Sequence, residues 1–284
     1  MTAATEATNV AGYGSEYTTI TGELDEDGVL TLVLNRPDKM NSVDEIMVAE
    51  MADLIDRAAA DQAVRTLLIT GAGRAFCAGR DISNADPDED AYDIIVNTFN
   101  PLLAKIYHFA KPTVSAVNGP AMGVGLGIAL ACDLVLAADN ARFASPFARL
   151  GVALDSGGHY FLPRLIGYHR AMEMIYTGVT VRGKQAADWG LVNRSVAGSV
   201  LRERATELAR SIARGPVNAF MAEKRFTQRS EGHDYDQVCA DEAVLQNSLM
   251  SSPEYDEGLA AFSEKRDPRF SRIPLRTEGE EAGG

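Results

Sequence analysis

The chain has 284 residues, and 27 Lys plus Arg stand against 40 Asp plus Glu, a formal charge of −13. That balance argues against nucleic-acid binding, which needs a basic face, and against attachment to anionic lipid through basic residues. Hydrophobic residues at 46% and charged residues at 24% make an ordinary globular composition, and Cys77, Cys132 and Cys239 are too few and scattered for a disulfide framework or a zinc site, so a cytoplasmic, reducing setting is expected.

Residues 1–16 are small and polar, with no Lys or Arg and no apolar core. They read as a flexible tail and as neither signal nor transit peptide. The run VLTLVL at 29–34 predicts a strand. Ser42 is the expected cap of a helix reaching about residue 60, with Val43, Ile46, Met47, Met51, Leu54, Ile55 and Ala58 on one face. A second strand is expected over 64–70, a helix over 101–109, a strand over 113–117, a helix over 124–131 and a strand over 134–137. Residues 119–138 form the longest apolar stretch, but its glycines and Asp133 fit buried core better than a bilayer span. Strands alternating with helices predict parallel pairing and an α/β class. From about residue 164 helical periodicity dominates, over 171–176, 183–189, 201–214, 217–229, 235–250 and 254–265, with one strand near 191–196. The expected organisation is therefore an α/β core over 17–200, a helical trimerisation or lid region over 201–270, and a flexible tail over 271–284.

Two glycine-rich turns follow strands: GAGRAFCAGRDI from Gly71 to Ile82, and NGPAMGVGLG from Asn118 to Gly127. Glycine after a strand lets backbone N–H groups approach a ligand, and two such turns together can form an oxyanion hole. A dinucleotide fingerprint is the rival reading. Its third glycine position holds Phe76 in the first loop and Ile128 in the second, and no phosphate-loop motif is present.

RPDKMNS, GRAFCAGRDI, KPTVSAVNGPAMGVGLGIALACDLVLA, FASPFARLGVALDSGGHYFLPRLIG and EGLAAFSEKR, in this order, resemble the crotonase (enoyl-CoA hydratase/isomerase) superfamily over about residues 17–270. The resemblance implies a spiral of ββα units, homotrimers or homohexamers built through C-terminal helices, acyl-CoA thioester substrates, and no metal or redox cofactor. It places the oxyanion-hole donors at the backbone N–H groups of Ala78 and Val124, with Gly123 beside the second. It puts Ala75, Arg80, Asp81 and Ile82 where relatives cradle CoA, and Phe262 and Lys265 along the CoA channel, although Lys265 also reads as a solvated helix position. Phe147 would line the substrate site.

The hydratases of this family carry one glutamate at the position of Gly127 and another at that of Phe147, and both are absent here. Water addition needs a base and an acid, so a simple hydratase is disfavoured. One acid remains in reach, Asp155. The resemblance extends to isomerases of the 1,2-epoxyphenylacetyl-CoA type, which share an Asp there and the Phe-Asn-Pro-Leu of Phe99 to Leu102. Asp155 thus has two readings, a proton carrier or an N-cap of a short helix in SGGHYFLPRL. His159 lies one turn beyond it, and Cys77 reads as packing. The expected activity is acyl-CoA isomerisation, moving a 3-enoyl double bond to position 2 or opening a ring epoxide. The alternatives are a hydratase, a halide-displacing aryl-CoA hydrolase and a non-catalytic CoA-ester-binding homologue. Residues 83–97, an acidic segment, are expected to border the acyl pocket.

Overall fold

The computed structural model describes residues 13–14, 16–83 and 88–276. Residues 1–12, 15 and 277–284, which fall in the expected tails, and 84–87 of the acidic segment lie outside the described residues.

In chain order the strands are β1 (Ile20–Leu24), β2 (Val29–Leu34), β3 (Thr66–Gly71), β4 (Thr113–Val117), β5 (Pro120–Met122), β6 (Leu134–Ala138), β7 (Arg142–Ala144), β8 (Val181–Arg182) and β9 (Arg194–Val196). The first helices are α1 (Glu45–Ala60), α2 (Ala91–Ile94), α3 (Asn100–Tyr107), α4 (Val124–Leu130), α5 (Gly158–Ile166), α6 (Tyr168–Thr177) and α7 (Gly183–Trp189). A helical C-terminal third follows: α8 (Leu201–Ala213), α9 (Val217–Ser230), α10 (Tyr235–Leu249) and α11 (Pro253–Glu264).

The larger sheet has the order β1-β2-β3-β4-β6-β9. Only the β1–β2 hairpin is antiparallel, and the remaining pairings are parallel. Every residue of β4 is buried, as expected for a parallel strand covered on both faces. Helix α1 packs Met47, Met51, Leu54, Ile55 and Ala58 inward. On α8, Leu201, Ala205, Ala209 and Ala213 recur every fourth residue and are buried, their small side chains letting the helix lie close to the sheet.

A second sheet, β5-β7-β8, was not legible in the sequence. Its strands are two or three residues long and exist only through pairing with distant segments. β5 runs parallel to β7, with Met122 opposite Ala144. β1 was also unread. The α1 cap differs from expectation as well: the Asp44 side chain accepts the Met47 N–H at 2.9 Å, while the Ser42 hydroxyl donates to Lys39 O. Ile46 is exposed, off the face that Met47, Met51, Leu54, Ile55 and Ala58 bury.

The ends are better anchored than their composition suggested. Tyr13 is buried and its hydroxyl donates to Asp61 at 2.8 Å. Leu275 is buried against Val217 and Met221 in a small separate cluster, and the Arg276 N–H donates to Asn218 Oδ1 at 2.7 Å. The buried face of α8 belongs to the main core, so the outer helical layer starts at α9 rather than at residue 201. Arg65, buried at the entry to β3, ties that layer to the sheet by donating to the carbonyls of Ala213, Gly215, Ile273 and Phe270. Among the described residues no helix is long and apolar enough to cross a membrane.

Candidate active site

The site forms where the two glycine turns meet. Residues Met40 and Asn41 both adopt left-handed backbone (φ 52 and 56°). Asn41 is fully buried; its amide donates to Ala72 O at 2.9 Å and Ala75 O at 2.8 Å, and its Oδ1 accepts from the Arg36 N–H at 2.9 Å. That clamp fixes the first turn against RPDKMNS. It also aims the Met40 carbonyl at Ala78, whose N–H donates to it at 3.0 Å.

This contact corrects the expected role of Ala78: its N–H is already bonded inside the protein and offers nothing to a substrate. The N–H two residues on is placed differently. Val43 donates to Gly79 O and accepts from the Asp81 N–H, each at 2.8 Å. In such a parallel bridge the residue between, Arg80, turns its own N–H to the other side. That side faces the second turn. A Cβ added to Gly79 (φ +107°) would lie 3.2 Å from Met122 O, and one added to Gly123 (φ +52°) would lie 3.9 Å from Gly79 Cα. Gly123 leads into α4, so Val124 occupies the first helical position, where an N–H has no intrahelical acceptor. Arg80 and Val124 thus each carry an N–H without a backbone acceptor among the described residues, on two turns that approach each other at Gly79 and Gly123. The Val124 side chain is 3% exposed and points into the core.

Asp155 approaches along α4. Gly127, one turn from Val124, packs against Ser156: a Cβ at 127 would sit 2.5 Å from Ser156 O and 2.9 Å from Ser156 Cβ. The same contact leaves no room for the glutamate that hydratases carry at this position. Ser156 (φ +55°) and Gly157 (φ +74°) are successive left-handed residues that turn the chain into α5. The cap of α5 is Gly157, without a side-chain hydrogen bond. The Asp155 carboxylate instead accepts from Ser156 Oγ at 2.7 Å, which decides against the helix-cap reading. Burial pushes the Asp155 carboxyl above the ordinary carboxylate range, with the Ser156 hydroxyl acting weakly the other way.

The other expected site residues divide. The Phe147 ring, half-buried, comes within 3.6 Å of the Gly123 Cβ position and walls the donors. Ala75 is 1% exposed and its carbonyl accepts from both Asn41 and Asn118, which hold the loop. The Arg80 guanidinium pairs with Glu89. Asp81 bonds Arg36 at 2.9 Å, and the Ser83 hydroxyl and amide with that guanidinium hold its carboxyl down at about 2. Ile82 and Phe262 are exposed, and Lys265 ends α11 in left-handed backbone; within one chain none of the three is enclosed. His159 is exposed. Cys77 is fully buried and burial pushes its thiol up to about 12, in keeping with packing. A cavity of about 910 Å³ opens at the far end of α4, lined by apolar groups including Leu130, Phe161, Leu191 and Phe220, away from the donors.

Residues 25–272 match the family model described as Enoyl-CoA hydratase/isomerase. The chain belongs to the enoyl-CoA hydratase/isomerase family. It is 38% identical over 251 residues to 1,2-epoxyphenylacetyl-CoA isomerase of Escherichia coli K12, covering 87% of this chain and 96% of that one. It is 34% identical to 2,3-dehydroadipyl-CoA hydratase of the same organism, over 85% and 94% of the two chains. The crystal structure of enoyl-CoA hydratase from Bacillus anthracis superposes with a TM-score of 0.85 at 29% identity, covering 89% of this chain and 99% of that one. The crotonase-like α/β fold expected from the motifs is therefore the observed one.

Family membership leaves the reaction open, since these relatives include both isomerases and hydratases. Asn41, the Arg80 N–H and Ser156 were missed by sequence reasoning. Asn41 and Ser156 carried a partial signal, because Asn tolerates left-handed backbone and Ser-Gly-Gly invites a tight turn. The direction of the Arg80 N–H carried none, because it is set by pairing with Val43.

Proposed function

We propose that this protein is an acyl-CoA isomerase in which a single carboxyl group, Asp155, moves the proton. The observation that carries the reading is a partly buried carboxylate, Asp155, whose neighbour Ser156 packs on Gly127, one turn along the helix that begins at Val124, with Gly127 and Phe147 where hydratases place their acids. The thioester carbonyl oxygen accepts from the N–H groups of Arg80 and Val124. Asp155 removes a proton from carbon 2 of a 3-enoyl-CoA; the electron pair of the broken C–H bond passes into the enolate, which the two donors stabilise. One such donor contributes about 2.7–4 kcal/mol to a comparable transition state. The carboxylic acid then returns the proton at carbon 4, leaving the double bond at position 2. The elevated pKa suits this shuttle, because a carboxyl closer to neutrality both accepts and releases a proton readily.

The 38% identity to an epoxyphenylacetyl-CoA isomerase favours a second substrate class, a ring-epoxide CoA thioester handled by the same donors and acid. Halide displacement is disfavoured, because that reaction in relatives pairs its Asp with a Trp where this chain has Phe147. We infer a cytoplasmic enzyme that uses no metal or redox cofactor and works as a homotrimer or homohexamer, in which Ile82, Phe262 and Lys265 meet CoA. Support for the assembly comes from α10, which has no buried residue and exposes Tyr235 and Val244. Mass spectrometry of products from 3-enoyl, 2-enoyl and phenylacetate-derived CoA esters tests the reading: isomerisation without mass change supports it, and gain of water by a 2-enoyl ester contradicts it.

A further inference from the structure

We propose that Ser156 is a positioning residue for Asp155: its hydroxyl holds one carboxylate oxygen while its strained, buried backbone sets the loop against Gly127. The proposal rests on the reading of Asp155 as the proton carrier. Four observations converge on it. Ser156 is 4% exposed, so its hydroxyl is shielded from water. Its Oγ donates to Asp155 Oδ1 at 2.7 Å, and Oδ2 has no protein partner among the described residues. Its φ of +55° lies in the left-handed region, where a residue with a Cβ pays a steric penalty. Its carbonyl and Cβ close over Gly127, so the loop is keyed to the helix that presents Val124.

Glycine would be the unstrained residue at this position, and Gly157 next to it shows that the loop accommodates one. A serine kept in left-handed backbone beside the acid points to a use for its hydroxyl. With Oδ1 held by the Ser156 hydroxyl, Oδ2 is the oxygen available to take the proton from carbon 2 and deliver it to carbon 4. Strain and hydrogen bond predict opposite effects of one substitution, which makes the idea testable.

Ser156→Gly removes the hydroxyl and the steric penalty together. The folded protein should melt at the same temperature or higher. Its kcat should fall roughly tenfold with KM little changed, because a misaligned base costs rate more than binding. The acidic limb of the kcat–pH profile should move to higher pH, since the hydroxyl no longer favours the carboxylate form. Ser156→Ala keeps the strain and should show the same kinetic defect with a lower melting temperature. Normal kinetics and an unmoved limb in Ser156→Gly, with only Ser156→Ala impaired, would assign Ser156 a purely structural role and overturn the proposal. Asp155→Asn measured alongside separates the two ideas: if that variant turns over normally, the reading of Asp155 has failed, whereas an inactive Asp155→Asn with a normal Ser156→Gly overturns only the role of Ser156.

Discussion

Gly127→Ala adds a single methyl group at the contact between α4 and the Asp155 loop. Its Cβ would lie 2.5 Å from Ser156 O, whereas ordinary contact begins at 3.4 Å, so the loop must retreat by 3.4 − 2.5 = 0.9 Å. Overpacking of a buried contact costs about 1–3 kcal/mol. Replacing a helical glycine returns about 0.5–1 kcal/mol, so the net loss of stability should be about 0–2.5 kcal/mol. The catalytic loss should be larger. A displacement of about 1 Å at a reacting group can cost on the order of 10²-fold in rate, and here it falls on the residue bonded to Asp155. Urea denaturation and kcat with a 3-enoyl-CoA substrate give the two numbers. Gly258→Ala on α11, where an added Cβ meets nothing within 4 Å, serves as the control and should leave kcat unchanged. A folded Gly127→Ala enzyme with kcat within twofold of the parent would refute the link between α4 packing and Asp155 placement.

Asp155→Asn should stabilise the fold at pH 7. Because burial raises the folded-state pKa of Asp155, the stability that its protonated form contributes is complete below the unfolded carboxyl pKa and is lost as pH rises through the folded value. The advantage of Asn should therefore shrink toward zero as pH falls below about 4, which denaturant midpoints at pH 4 and 7 will read; a less stable Asp155→Asn at pH 7 contradicts the burial argument. Sedimentation at micromolar concentration should give a trimer or hexamer, and a stable monomer would contradict the assembly inferred from the exposed face of α10.

Elements with strong local signals were legible from the chain alone. β2 and β4 stand within the expected bounds, because their apolar runs are bounded by turn residues or proline, and so does α7, which Gly190 ends in left-handed backbone. What escaped depends on distant pairing. β5 and β7 are three residues each and are defined by pairing with one another and, for β7, with β8. The α1 cap was ambiguous because Ser42 and Asp44 are both good caps, and only the Met47 N–H chooses between them. At the candidate site, the resemblance pointed to both turns and to Asp155, while the Ala78 N–H proved to be bonded to Met40 O and that of Arg80 has no backbone acceptor among the described residues. Motif spacing carries no information on which way a peptide N–H points; the Met40 and Val43 carbonyls determine that. Ser-Gly-Gly signalled a turn at 156–158, but not that Ser156 itself takes the left-handed backbone, which composition would assign to glycine.

The central claim is that Asp155 alone carries the proton. The most direct test is exchange of the carbon-2 proton of a CoA ester with deuterated solvent, followed by mass spectrometry for the parent enzyme and Asp155→Asn. The parent should incorporate deuterium alongside isomerisation, and the variant, folded and still binding the ester, should exchange roughly 10²–10⁴-fold more slowly, the range for loss of one general base. Exchange at the parental rate in folded Asp155→Asn would contradict the mechanism.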